Sequence, residues 1–437
     1  MSLFGSFATA ISGLSSQSRA LGHVSDNIAN SQTVGFKRTD TNFVSYVTQS
    51  NGAFHSPGSV TARPDYTNAL QGAIEQSESP LSLAIGGQGF FSVATAAGTA
   101  ADGAPRFDDR QFYSRAGDFR MDEGGFLVNG SGHYLQGWPA DAAGRPDRTA
   151  LEPIRLGRAA FNPIATARVE LAANLPAGDG TAAAAPVSAQ TKVYDSLGRQ
   201  HTVDLSFTRA SAGNWTLGVR VPDDVGGADR GTVGLRFGAA ATPAAPDGTI
   251  GAFAGATGTM APSAGAAGTP ATVTFTTDFG QGPQTVALSL GGFGGADGLT
   301  QFAGEELSVR NLEADGVPPG AYAGMSVREN GDVAVAYDNG QSRVIARVPI
   351  VAFDDPDKLQ RLDGQAFMRT AESGEARVAD SASNGVGKLV TGSLERSNVD
   401  IASEFTKLIV AQRAYTANTR VVTTSDEMLQ ETLNMRR

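Results

Sequence analysis

NVDIASEFTKLIVAQRAYTANTRVVTTSDEMLQETL, residues 398–433, is the stretch whose reading settles the class of the chain's two ends. Within it Ile401, Leu408, Tyr415, Val422 and Leu429 stand seven residues apart, flanked by Phe405, Ala411 and Leu433. Apolar residues on that period mark a narrow stripe along an α-helix. No glycine follows Gly392 and no proline follows Pro356, so nothing in the run breaks a helix. Ser397 and Asp400 offer a capping-box-like start with Glu404 in the first turns, and Arg436 and Arg437 suit the negative end of the helix dipole.

The other end repeats the pattern. Leu3, Phe7, Leu14, Leu21 and Ile28 carry one half of a heptad, and Ala10, Gln17 and Val24 fill the other. The first proline is Pro57, which leaves this segment free to be helical. A single such stripe ordinarily packs on its own domain's core. Here two matching stripes occupy opposite ends, and their other faces carry Ser, Thr, Gln and Asn rather than charges. An isolated helix of this length is marginal, because ordering a residue's backbone costs about 1–2 kcal/mol. The ends are therefore expected to order in an assembly.

Between the stripes the period changes. Gly125–Val128, Thr202–Phe207, Val333–Tyr337 and Val344–Val351 are rich in β-branched and aromatic residues, beside turn signals such as Asn129-Gly130, Asn330-Gly331 and Asp338-Asn339-Gly340. This predicts an all-β interior. From Gly238 to Thr277 Ala, Gly, Thr and Pro dominate, with Asp247 the only charge. That stretch reads either as a flexible insertion or, since Thr272–Thr276 alternates, as chain rejoining a sheet. No repeat of 20–50 residues recurs, against a propeller or solenoid.

Composition narrows the function classes. The 437 residues suffice for about three domains. Charged residues are 18% of the chain and glycines number 54, a turn- and strand-favouring balance. A formal net charge of −10 argues against general phosphate-backbone binding, so no nucleic-acid partner is expected. The absence of cysteine excludes disulfides, thiolate metal sites and cysteine nucleophiles. No run approaches a membrane span of about 18 apolar residues, so no membrane insertion is expected. The N-terminus lacks the lysine-bearing n-region and compact apolar core of a cleaved signal, and one arginine, Arg19, falls short of a transit peptide.

Chemistry-bearing motifs are sparse, and no catalytic residue, cofactor or metal site is assigned. His23, His55, His133 and His201 have no metal-ligand spacing. Gly86-Gly87-Gln88-Gly89 lacks the third glycine of a dinucleotide loop and reads as a tight turn before Phe90. Asp354-Asp355-Pro356-Asp357 lacks the central Gly and terminal Glu of a calcium loop, and reads as a turn opening a short helix at Lys358–Leu362.

Longer motifs carry a resemblance. Ala10-Ile11-Ser12-Gly13-Leu14 followed by Asn27-Ile28-Ala29-Asn30 and Gly35-Phe36-Lys37 resembles the N-terminal motif of the bacterial flagellar rod, hook and hook-associated axial proteins. Asn398-Val399-Asp400-Ile401, Gln412-Arg413-Ala414-Tyr415 and Asp426-Glu427-Met428-Leu429 resemble that family's C-terminal helix. Interior blocks, among them Ser114-Arg115-Ala116-Gly117-Asp118-Phe119 and Tyr194-Asp195-Ser196-Leu197-Gly198, are similar to its β-domains. The resemblance covers most of the chain and fails over roughly 220–300.

The resemblance implies a multidomain α+β protein. Residues 1–34 and 396–437 would form a coiled-coil-like inner polymerisation domain, 35–70 a connector, 71–150 and 323–395 a discontinuous middle β-domain, and 151–322 outer β material of one domain or two. The implied role is a structural, non-enzymatic subunit of the flagellar hook, a curved tube acting as a universal joint between rod and filament. Its partners would be identical copies, the distal rod and hook-associated junction proteins, the hook cap and the type III export apparatus. The location would be extracellular, reached without a cleaved signal peptide. The expected polymerisation surface is Leu3, Phe7, Leu14, Leu21, Val24, Ile28, Ile401, Phe405, Leu408, Tyr415, Val422 and Leu429. The expected connector motif is Asn27, Asn30, Gly35, Phe36 and Lys37, with Gly35 and Phe36 ending the helical part and Phe36 anchoring on a neighbour. The segment Asn42–Phe54 should be extended or irregular and ordered mainly by other subunits. A distal rod protein, shorter and without a large outer insertion, is the alternative reading. A secreted glycan-binding β-protein is the remote one, disfavoured by the presence of only Trp138 and Trp215.

Overall fold

A computed structural model of the chain describes residues 3–50, 55–99, 105–141, 143–157, 161–177 and 185–435. Helix α1 spans Leu3–Ala29 and helix α2 spans Ile401–Asn434, and the described chain between them is strand, turn and short 3-10 segments. Both apolar stripes are thus helices around a mostly β interior. Asp400 caps α2, its Oδ1 accepting from the backbone N–H of Ala402 at 3.0 Å. Glu404 takes no part in that cap. It is buried and bonds to Asn27 of α1 instead.

After α1 the chain forms an antiparallel hairpin, β1 (Thr39–Ser50) with β2 (His55–Tyr66), in a register that sets Thr39 opposite Tyr66. The described part of Asn42–Phe54 is extended, as expected, but it is ordered inside its own chain; 51–54 lie outside the described residues. The hairpin lies on α1 because α1's small hydroxyl side chains reach its backbone. Ser16 Oγ donates to the Val60 carbonyl at 2.9 Å, and Ser12 Oγ accepts from the Val60 N–H at 3.1 Å.

The chain divides into two compact units, Met1–Arg158 with Gly324–Ala336 and Ser342–Arg437, and Ala159–Ala323 with Tyr337–Gln341. In the first unit, strands at 133–139, 91–99, 112–114 and 366–368 lie side by side. One aromatic core there joins Phe90, Tyr113, Phe353 and Phe367, with Phe90 edge-to-face on Phe367 at 5.3 Å and Tyr113 on Phe353 at 4.8 Å. Late segments return to early ones: 388–391 pairs with 83–86, and 393–395 with 74–76. A short helix at 358–362 is not what forms. Pro356–Lys358 is a single 3-10 turn and Gln360–Leu362 a strand, because Gln360 and Leu362 find ladder partners in Met368 and Ala366.

The second unit is a sandwich. A five-stranded antiparallel sheet runs from 187–194 to 250–254, and a six-stranded sheet is built around 168–176, 270–278 and 283–292. Their inward residues form one core, including Val203, Leu205, Phe207, Trp215 and Leu217 from the first sheet and Leu171, Val273, Phe275, Val286 and Leu288 from the second. The Ala/Gly-rich stretch 238–277 belongs to it. Ile250–Ala254 and Pro270–Asp278 are strands, with Val273 and Phe275 turned inward and Thr between them.

Candidate assembly site and its buried junction

The two helices run antiparallel: a Cβ on Gly13 would come within 3.0 Å of the Asn418 amide, while Asn27 Nδ2 donates to Glu404 Oε2 at 3.0 Å. The buried side of α1 is its small one. Ala10, Gly13, Ser16, Ala20, Val24 and Asn27 are buried, at spacings of three and four, whereas Phe7, Leu14, Leu21 and Ile28 are only half-buried. Val24, expected on an intersubunit surface, therefore sits in the chain's own seam. The side chain of Leu3 lies outside the described residues.

On α2 the sevenfold stripe divides. Leu408, Val422 and Leu429 are half-buried alongside the buried Glu404, Ala411 and Ser425. Ile401, Phe405 and Tyr415 stay exposed, Phe405 at 52%. A second row of apolar side chains is exposed on the same helix at Val410, Val421 and Met428. Phe43 and Val47 of β1 and Ile11 of α1 are exposed too. A groove of about 570 Å³ runs between α1, β1 and α2, floored by Ala20, Val24 and Ala411 and rimmed by Phe43, Val410 and Lys407. Apolar side chains thus stand exposed on all three of these elements.

The connector motif lies inside the chain. α1 ends at Ala29, and Asn30 follows as a local cap, its Nδ2 donating to the Asp26 carbonyl at 3.0 Å. Gly35 then takes φ +69°, and a Cβ there would stand 2.5 Å from the Ala116 backbone nitrogen, so only glycine lets the two segments meet. Phe36 is buried within its own chain, which corrects its expected role as an anchor on a neighbour. Lys37 is buried as well. Its Nζ donates to Glu395 Oε1 at 2.5 Å and to the Leu70 carbonyl at 2.7 Å. Arg115 Nη1 reaches the other carboxylate oxygen at 3.1 Å, and Arg115 Nη2 the Gly87 carbonyl at 2.7 Å. Two cations and one anion thus share a buried pocket. Burial, with Arg115's charge adding to it, holds the Lys37 ammonium down to about 8 against the pull of Glu395, and burial likewise lowers Arg115.

Asparagines extend the junction. Asn27 donates to the Thr39 carbonyl at 2.9 Å and accepts from the Thr39 N–H at 2.9 Å, fixing α1 to β1. Asn398 Oδ1 accepts from the Arg38 N–H at 2.7 Å. Arg361 donates to Thr39, to the Arg38 carbonyl and to Asn68, and lies over the Tyr66 ring at 4.6 Å. Arg115, Arg361 and Glu395 escaped the sequence reading as site residues. Arg115 stood inside a quoted block, but neither Arg361 nor Glu395 has a local pattern that separates it from a solvated charge. Among the described residues no group of three His, Asp or Glu side chains could hold a metal ion, and no helix is long and apolar enough to cross a membrane.

Two terminal helices flank a mostly β chain, and comparison with known proteins places that arrangement among the structural proteins of the flagellar axis. Four family models match in chain order: the flagella basal body rod protein over 7–37, the flagellar hook protein FlgE/F/G D1 domain over 84–174, the flagellar basal body protein FlaE D2 domain over 166–317, and the flagellar basal body rod FlgEFG protein C-terminal over 390–435. The flagellar hook protein FlgE of Brucella abortus is 34% identical over 440 residues, covering 100% of both chains. That of Rhizobium meliloti is 32% identical over 446 residues, again with 100% of both covered. The flagellar hook protein FlgE of Salmonella typhimurium is 27% identical, covering 99% of this chain and 100% of its own. The chain belongs to the flagellar hook protein FlgE family, and is a hook subunit.

Proposed function

We propose that the chain polymerises with identical copies into the curved tube of the hook and passes torque from rod to filament as a universal joint, without catalysing a reaction. The observation that carries this is the exposed apolar surface of α2, Phe405 on one flank and Val410, Val421 and Met428 along another, beside exposed Phe43 on β1. Such a face is stable in water only when another protein covers it. In this reading residues 1–34 and 396–437 make a coiled-coil-like inner domain, 35–70 is a connector, 71–150 and 323–395 a middle β-domain, and 151–322 the inserted outer β material. The sites of contact are the stripe residues from Phe7 to Leu429, with the exposed Ile401, Phe405 and Tyr415 foremost. Distal rod and hook-associated junction proteins cap the tube's ends, a hook cap guides growth, and the type III apparatus exports the chain to the cell exterior without a cleaved signal. The shorter distal rod protein is disfavoured by the folded sandwich between 166 and 317.

Electron microscopy of basal bodies tests this in cells whose only copy of the gene is altered. Wild type should restore hooks to a deletion strain, and Phe405→Asp, with expression and export confirmed, should not. Hooks of normal length from Phe405→Asp would overturn the role of this face. Hooks in the deletion strain itself would overturn the function.

A further inference from the structure

A tight turn recurs along the chain in which a side-chain oxygen accepts from the backbone N–H groups two and four residues on. Aspartate fills that position at Asp141, with Ala143 and Arg145, at Asp195, with Leu197 and Arg199, and at Asp278, with Gly280 and Gly282. At 129 the residue is asparagine, whose Oδ1 accepts from Ser131 at 3.1 Å and from His133 at 2.9 Å. Asn129 is 1% exposed, and its Nδ2 is buried with no hydrogen-bond partner. The pocket thus satisfies the acceptor and leaves the donor unpaired.

The next residue is Gly130, whose N–H donates to Asp118 Oδ2 at 3.0 Å. The Asn-Gly turns at 330 and 339 differ on both counts. There the N–H groups of Gly331 and Gly340 donate to the carbonyls of Arg328 and Tyr337, and Nδ2 of Asn330 and of Asn339 donates to Asp332 and to the Pro318 carbonyl. Of the three turns, Asn129-Gly130 alone sets its peptide N–H against a carboxylate and leaves its amide nitrogen unbonded.

We infer that Asn129 is a self-modification site: in the folded chain it cyclises onto Gly130 and hydrolyses to aspartate, with Asp118 as the general base. The turn folds the Asn129 side chain forward over the 129–130 peptide, toward the Gly130 nitrogen. That nitrogen bonds to Asn129 Cγ as its proton passes to Asp118. Charge developing on Oδ1 is held by the N–H groups of Ser131 and His133. The Cγ–Nδ2 bond then breaks, and Nδ2 leaves as ammonia with the proton from Asp118. Glycine is needed at 130, where a Cβ would stand 2.5 Å from Asp118 Oδ2. Water next adds to the succinimide at Cγ, the carbon whose oxygen the same two N–H groups hold, and the bond from Cγ to the Gly130 nitrogen breaks as that nitrogen regains its hydrogen. One water is consumed, one ammonia is released, and residue 129 becomes the aspartate that its counterparts already are. The reaction needs only the folded chain and no second copy.

Ageing the purified full chain at neutral pH, followed by tryptic mapping, reads each site. Met121–Arg148 contains Asn129 and no other asparagine, and fragment ions separate Asn330 from Asn339 within Glu329–Arg343. Conversion, a gain of one mass unit, should be at least about fivefold faster at Asn129 than at Asn330 or Asn339, and aspartate should exceed isoaspartate. In urea the lead should vanish. Asp118→Asn should slow Asn129 by at least about fivefold and leave Asn330 and Asn339 unchanged. The urea comparison uses wild type alone, so it stands whether or not the variant folds. Equal rates at the three sites in the folded chain, a lead that persists in urea, or an unchanged Asn129 rate in Asp118→Asn overturns the inference. An excess of isoaspartate from the folded chain overturns hydrolysis at Cγ.

Discussion

Lys37 Nζ and Glu395 Oε1 are 358 residues apart in sequence and 2.5 Å apart in space, with neither side chain exposed. The pair ties the chain's first turn after α1 to the strand that leads into α2. Arg115 on the same carboxylate adds the middle of the chain, so three distant segments converge on one buried anion.

Removing that anion should be costly. Glu395→Ala leaves two cations in a pocket with no counter-charge, and breaking a buried pair from one side costs about 3–5 kcal/mol. The exposed pair of Arg396 with Glu75 is the comparison, and Arg396→Ala should cost less than about 1 kcal/mol. Urea unfolding of the two purified variants measures the difference; equal losses would show that the junction is not a structural tie.

The same pocket makes stability depend on alkaline pH, in a direction that follows from Lys37 being held down to about 8. Above that pH the folded chain releases a proton that the unfolded chain keeps until about 10.4. Stability therefore rises with pH across this window, by at most about 1.4 kcal/mol per pH unit. Measured against Lys37→Met, which lacks the titration, wild type should gain on the variant from pH 8 to 10.4 and run parallel to it below pH 7. A wild type that loses ground over the same window would reverse the sign.

Gly35→Ala combines a positive φ with a Cβ set 2.5 Å from backbone nitrogen. Strain of this kind costs about 1–3 kcal/mol before the clash is counted. Thermal melting should show the loss, and Gly340→Ala, where φ is +79° with nothing nearby, should show only the conformational part. Matching losses would mean that the approach to Ala116 relaxes freely.

Leu408→Asp and Phe405→Asp should both stop assembly, for different reasons. Leu408 is half-buried beside Glu404 and Ala411, so its replacement weakens the α1–α2 pair, where a buried Leu contributes roughly 1.5–3 kcal/mol. Phe405 is exposed, so its replacement leaves the chain's own packing intact. Amide exchange on the monomers should show faster exchange through α2 only in Leu408→Asp.

Periodicity alone was enough for the helices and for a few of the strands. A sevenfold apolar repeat without Pro has one regular solution, and alternation at Thr202–Phe207 or Thr272–Thr276 another, because both depend only on neighbours within a turn or two. The motif Gly35-Phe36-Lys37 could likewise be seen to matter from its sequence. Its role could not, since Lys37 differs from a solvated lysine only through Glu395 and Arg115, and nothing local brings those three together. Nor could the stripe on α2 be divided beforehand into Leu408, turned inward, and Phe405, left out. Residues at one helical period share a face, but which face is covered depends on where α1 and the hairpin lie. Local sequence settled the two terminal helices, the β character of the interior and the apolar periods. Tertiary structure decided burial and charge pairing, because desolvation acts on a side chain through every segment packed around it, however distant along the chain.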